Sequence, residues 1–214
     1  LGKASMGAAL GCFALTGQAC AASSRVFIQE DVYDEMVKRI TGVAKGLVIG
    51  DPLDKASILG PLSSAGQYDR VMGYIEKGKS SSAELAWGGG QVGSTGYFVE
   101  PAIFQGADPA SPMAREEIFG PVMNIWPFKK LDDVLEQAND TEYGLAAGIW
   151  TSDINNVHKA ANALEAGIIW ANSWAKIPNA TPFGGFKQSG IGREGGTNVL
   201  EEFTQVKSVY IELR

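Results

Sequence analysis

The sequence is poor in metal-binding side chains, with two cysteines and one histidine among its 214 residues. They cannot furnish a four-ligand Cys/His zinc site, and neither a CxxC nor an HExxH spacing occurs, so no metal is expected. Positive charge is also short. Eighteen Lys and Arg against twenty-four Asp and Glu leave a net charge of -6, without the footprint of a protein that neutralises many phosphates, and nucleic acid is not an expected partner. No stretch reaches the roughly 18 apolar residues of a membrane span. Disulfide chemistry is equally thin: Cys12 and Cys20 are the only pair, and on one helix they would stand about 12 Å apart, beyond bridging distance. A reduced, cytoplasmic setting is the expectation. Walker, GxSxG and kinase signatures are absent.

What is present is the composition of a globular chain, 45% hydrophobic and 20% charged, long enough for one large domain or two small ones. Glycine is abundant, with 27 residues in clusters that mark tight turns or close backbone approach. Lys3 followed by Met6 to Leu15 and the small residues Ala19 to Ala22 imitates a signal peptide. The run is nevertheless thin in leucine and broken by Gly7, Gly11 and Gly17, and it reads as an interior piece of a longer chain.

Periodicity predicts a small-residue helix over Ala4 to Leu15, a strand over Ser24 to Gln29, and an amphipathic helix capped by Asp31 and stopped at Gly46. Its apolar positions Val32, Met36, Val37, Ile40 and Val43 share one face. Further helices are expected over Ser63 to Lys79, Leu131 to Asn139 and Asp153 to Ala166. Strands are expected over Glu84 to Trp87, Tyr97 to Phe104, Val122 to Phe128, Leu145 to Thr151 and Ile168 to Ala171. This alternation implies an α/β fold with a parallel sheet covered on its faces.

Two stretches match the dinucleotide fingerprint G-x-G-x-x-G, Gly88 to Gly93 and Gly190 to Gly195, but neither lies between a strand and a helix, and both read as turns. Cys20 is more informative. Thr16-Gly17-Gln18 puts a glycine turn before it, and small neighbours leave it open; a thiolate there could act as a nucleophile, with free backbone N–H groups cradling an oxyanion. A buried structural thiol is the alternative, and Cys12, inside the apolar helix, takes that reading. Glu116-Glu117-Ile118-Phe119-Gly120-Pro121 sets paired acids before a turn, where a carboxylate can accept two hydrogen bonds from a ribose diol or simply be solvated. His158 reads as a surface or boundary residue of its helix.

In order along the chain, Phe13-x-x-x-Gly17-Gln18-x-Cys20 with Ser24-Arg25, Glu116 to Pro121, Asn139 to Leu145, Asn172, and Pro182-Phe183-Gly184-Gly185-x-Lys187-x-Ser189-Gly190-x-Gly192-Arg193-Glu194 resemble the catalytic half of the aldehyde dehydrogenase superfamily. The resemblance implies an α/β parallel-sheet sandwich of that catalytic-domain type. It implies a thiol domain over 1–204 and a terminal oligomerisation strand over 205–214, where Val209, Ile211 and Leu213 alternate with polar neighbours. Cys20 would be the nucleophile and Glu194 a proton-relay acid. Glu117 would hold the nicotinamide ribose of NAD or NADP, with Phe119 against the nicotinamide. Phe183, Trp174 and Asn172 would bind the aldehyde. The family's dinucleotide-binding domain, oxyanion amide and deacylation base lie upstream of the matching region, so the chain is expected to be part of a longer, homo-oligomeric enzyme. Two other readings stand beside this one: a cofactor-free thiol esterase or acyltransferase, and a non-catalytic interaction fragment.

Overall fold

The structure, a computed structural model, describes residues 1–214. The first helix, α1 (Gly2–Phe13), is built of small residues whose buried members are Ser5, Ala8, Ala9, Cys12 and Phe13. Two glycines let neighbours approach its backbone: the Trp150 ring lies where a Gly7 side chain would be, and Ser23 and Trp174 crowd the same place at Gly11. After β1 (Arg25–Gln29) and a short 3-10 turn over Glu30–Val32 comes α2 (Tyr33–Lys45), which buries Met36, Ile40 and Ala44. The helix therefore starts later than an Asp31 cap would place it, and Gly46 closes it in a right-handed conformation, φ -84°, rather than the left-handed one that favours glycine.

Next along the chain are α3 (Ala65–Lys79), β2 (Glu84–Gly88), β3 (Ala102–Gln105), the single turn α4 (Pro112–Arg115) and β4 (Val122–Phe128). Ser64 Oγ accepts from the Gln67 N–H and so caps α3. The main sheet has the order β1-β4-β3-β2, with β4 parallel to both neighbours. A strand paired on both sides and covered on both faces should be largely apolar, and Val122 to Trp126 is buried at every position, the one polar member, Asn124, donating its amide to the Met113 carbonyl at 3.1 Å. Side chains alternate across the sheet. Ile103, Met123 and Ile125 join Phe13, Ile28 and Ile40 under α1 and α2, whereas Ala102, Phe104 and Val122 join Val71, Tyr74 and Ile75 under α3.

The sheet is not parallel throughout, as the spacing of elements suggested. At its edge β2 runs antiparallel to β3, because Gly88 and Gly89, at φ 74° and 75°, turn the chain back after a short excursion that includes a Gln91–Val99 bridge. The strand expected from Tyr97 begins only at Ala102, after Pro101, which has no N–H for a ladder.

The remainder comprises α5 (Leu131–Asn139), β5 (Tyr143–Gly144), β6 (Ala146–Ile149), α6 (Ile154–Ala163), β7 (Ile168–Ala171), β8 (Phe186–Lys187) and α7 (Val199–Phe203). Here β6 and β7 form a separate parallel pair, and β5 and β8 an antiparallel one. Arg25 ties this part to the main sheet, donating to the carbonyls of Gln137 and Ala138 at the end of α5 at 2.8 and 3.1 Å. Residues 204–214 are exposed and carry no secondary structure, so the strand expected there has no neighbour to pair with within this chain.

Candidate active site

The expected helix to Leu15 stops at Phe13 because the next residues turn left-handed. Leu15, Thr16 and Gly17 have φ of 56°, 58° and 69°. For a β-branched residue such as Thr16 this region is strained, at about 1–3 kcal/mol. The strain is held by specific bonds. Thr16 Oγ1 donates to the Gly60 carbonyl at 2.9 Å, Gln18 Nε2 donates to the carbonyls of Leu15 and Pro61 at 3.3 and 3.4 Å, and the Ser63 N–H donates to Gln18 Oε1 at 2.8 Å. Gly17 itself lies so close to the Gly120 carbonyl and the Pro121 nitrogen that any side chain there would collide with them.

Cys20 stands exposed on the turn that follows. The far side of that turn is anchored to α1, the Ser23 N–H and hydroxyl donating to Gly11 and Ala8 carbonyls at 3.0 Å each. Cys12, by contrast, is fully buried with Sγ 3.5 Å from the Val122 carbonyl, and burial pushes its thiol well above the ordinary range. One thiol therefore meets solvent, and the other does not.

A second segment lies beside this turn. Along α3, Gln67 Nε2 donates to the carbonyls of Ile118 and Phe119 at 3.1 and 2.8 Å, Arg70 donates to the Glu117 carbonyl, and the Tyr74 hydroxyl donates to the Glu116 carboxylate. So held, Phe119 takes a left-handed φ of 59° and shows its ring to solvent, 37% exposed. The Glu117 carboxylate is exposed and has no hydrogen-bond or ion-pair partner, whereas Glu116 is tied to Tyr74. Burial first, then the neighbouring carboxylate of Glu116, raises the Tyr74 hydroxyl pKa. Tyr143 is raised as well, by burial and then by the charges of Glu142 and Glu117.

The Glu117–Phe119 segment forms a ledge beside the Cys20 turn, and Tyr143, which feels the charge of Glu117, begins the pairing with the late glycine-rich segment. It pairs with Lys187 across β5 and β8, and Ser189 Oγ accepts from the Gly144 N–H at 2.9 Å. In that segment Phe183 and Glu194 are bridged to each other through both backbone N–H groups, at 2.7 and 2.8 Å, with Phe183 half-buried and Glu194 exposed. Trp174 is half-buried, tilted against Trp170 at 4.9 Å and wedged beside Gly11 and Gly148. Asn172 uses both amide atoms on the Thr151 backbone, at 3.0 and 2.8 Å. His158 is exposed on α6. The first fingerprint match runs from the end of β2 into the loop after it and the second lies in a loop, neither leading straight into a helix, and no group of three or more Cys, His, Asp or Glu side chains could hold a metal.

Sequence reasoning passed over Gln67, Arg70 and Tyr74. Their spacing of three and four places them on one helical stripe, a signal that is visible only once the face opposite them is known to carry backbone carbonyls.

An exposed cysteine thus follows a strained turn whose Gly17 packs on Gly120, in the segment that carries Glu117 and Phe119. The model of the aldehyde dehydrogenase family matches residues 1–209, and the chain belongs to that family. A betaine aldehyde dehydrogenase of Brucella anthropi is 46% identical over 211 residues, and one of Brucella ovis 44%. The chain spans about 43% of the length of these curated relatives, which in turn match 97% of it. Among solved structures, an aldehyde dehydrogenase of Bacillus cereus in complex with NAD+ superposes with a TM-score of 0.96 at 42% identity, covering 99% of this chain and 43% of that one. An indole-3-acetaldehyde dehydrogenase of P. syringae gives 0.96 at 36% identity, with the same coverage.

Proposed function

We propose that this chain is the thiol-bearing part of an enzyme that oxidises an aldehyde to a carboxylic acid with NAD or NADP. The observation that carries the reading is the contact of Gly17 with Gly120, which sets the turn before Cys20 directly against the segment bearing Glu117 and Phe119. A cofactor-free thiol esterase would need the exposed thiol but would leave that ledge without a task.

The residues present fit the nicotinamide end of a dinucleotide. Glu117 has a free carboxylate able to accept two hydrogen bonds from a ribose diol, and Phe119 offers an exposed ring for stacking on a planar base. When bound, the nicotinamide supplies a two-electron acceptor for the carbon being oxidised. The pyrophosphate and adenosine contacts belong to the proposed N-terminal dinucleotide-binding domain of the longer protein.

Cys20 acts as the nucleophile: its thiolate adds to the aldehyde carbonyl carbon, and its own N–H holds the oxyanion that forms on the carbonyl oxygen. After oxidation the acyl group remains on Cys20 as a thioester, and water cleaves the C–S bond to release the acid and restore the thiolate. Glu194, exposed and bridged to Phe183, is the acid assigned to proton relay in this reading. Phe183, Trp174 and Asn172 line the aldehyde's path. An aromatic lining suits the cationic aldehyde named for the Brucella relatives through cation–π contact. The exposed residues 205–214, with Val206, Val209, Tyr210, Ile211 and Leu213 outward, serve as the strand that joins a second copy. Two unpaired thiols suit a reducing cytoplasm.

The test is steady NADH or NADPH formation by the full-length protein with aldehydes, betaine aldehyde among them. Activity that vanishes in Cys20→Ser supports the reading; turnover unchanged in that variant refutes it.

A further inference from the structure

The mechanism needs an accessible thiol, but accessibility does not fix where the sulfur points. The turn preceding Cys20 has three successive left-handed residues, two of them not glycine, and left to itself would relax. Two side chains hold it. Thr16 is buried and bonds the Gly60 carbonyl. Gln18 uses both ends of its amide: Oε1 accepts from the Ser63 N–H, while Nε2 reaches the carbonyls of Leu15, on its own turn, and Pro61, on the facing loop. That loop runs directly into Ser64, the cap of α3, and three residues on Gln67 holds the carbonyls of Ile118 and Phe119. The circuit closes where Gly120 meets Gly17. Thiol and ledge are thus mounted on one ring of contacts in which Gln18 is the amide that joins the turn to the loop.

The geometry points to Gln18 as a positioning residue for the Cys20 thiol, with Thr16 in support: it makes no contact required of the chemistry itself but fixes the sulfur relative to the oxyanion donor and the ledge. This rests on the reading of Cys20 as nucleophile. A group that positions should matter for attack along a defined trajectory and little for a reaction that asks only for an exposed thiolate.

The experiment compares two reactions of the full-length protein. In the first, Cys20 attacks p-nitrophenyl acetate: a C–S bond forms, the C–O bond to nitrophenolate breaks, and the acetyl group stays on sulfur, read as a burst of nitrophenolate. In the second, iodoacetamide alkylates the thiol, and peptide mapping isolates the signal at Cys20. Gln18→Ala should slow the burst by about tenfold or more while alkylation changes less than about twofold. Gln18→Glu keeps the Ser63 acceptor and nearly the same shape, loses both donated bonds, and should fall between the two. It also serves where the alanine variant does not fold, as judged by circular dichroism. Thr16→Val should reproduce the same split. An unchanged burst in folded Gln18 variants, or burst and alkylation falling together, overturns the positioning role alone. A full burst that persists in Cys20→Ser overturns the nucleophile reading and this inference with it.

Discussion

Replacing Gly17 by alanine should damage the molecule twice, and the two effects can be measured apart. An L-residue at φ 69° costs about 1–2 kcal/mol against glycine. The new methyl group would also overlap the Gly120 carbonyl and the Pro121 nitrogen, which are backbone and cannot swing away, and relieving that overlap adds a strain of about 1–3 kcal/mol. A loss near 3 kcal/mol in a chain of this size lowers the melting temperature by about 6–12 °C. Because relief must come from moving the Cys20 turn off the ledge, acylation of Cys20 should fall by about 100-fold, the cost of a shift near 1 Å. Gly42 supplies the control. It lies within α2, and a methyl group added there would meet open space, so Gly42→Ala should raise stability by about 0.5–1 kcal/mol and leave acylation alone. Differential scanning fluorimetry and the nitrophenolate burst read the two quantities. If Gly17→Ala melted at the native temperature and acylated at the native rate, the packing of thiol turn on ledge would not be what organises the site.

Iodoacetamide should label Cys20 well before Cys12 in the native chain, since only Cys20 is exposed; peptide mapping that finds Cys12 first, or both equally, would refute this. In the full-length protein, Glu117→Gln should weaken cofactor use while leaving esterase turnover nearly intact, whereas a parallel loss of both would give Glu117 a structural task. Removing residues 206–214 should lower the mass seen by light scattering in the full-length protein, and an unchanged mass would remove the oligomerisation role. Stability should fall as pH rises through about 10: Tyr74 and Tyr143 are held neutral in the fold by burial and nearby carboxylates, so the unfolded chain releases its phenolic protons first. Denaturant midpoints at pH 8 and 10.5 that coincide would count against this.

Long, evenly periodic elements could be read from the residues alone: Leu131–Asn139 and Ile168–Ala171 lie where their apolar spacing put them. Ends were harder to place. The helix carried by Ala4 to Leu15 stops two residues early because the contacts of Thr16 and Gly17 with Gly60 and Gly120 outweigh helix propensity, and those partners are far along the chain. The antiparallel edge strand likewise depended on two glycines turning back, a choice that periodicity does not record. At the site, the motif order singled out Cys20 and Glu117, whereas Gln67 and Arg70 bind main-chain carbonyls and Tyr74 a neighbouring carboxylate, partners that no sequence pattern names. Asn172 shows what a motif position does not record: its amide also ties the Thr151 backbone.

The order of strands also sets a timetable for folding. β1 has β4 as its neighbour, and Arg25 pairs with Asn124, about a hundred residues later. Loop closure over that distance precedes the contacts that reward it, so this sheet belongs among the slowly nucleating, high-contact-order topologies. During synthesis the Arg25–Gln29 segment, with Val26, Phe27 and Ile28, waits unpaired until most of the main sheet has left the ribosome. The thiol turn waits with it, because Gly17 has no Gly120 to lean on before then. Cys20 therefore acquires its environment late, and a chain arrested before Gly120 would carry an unpaired apolar strand and an exposed thiol side by side, the kind of surface that aggregates.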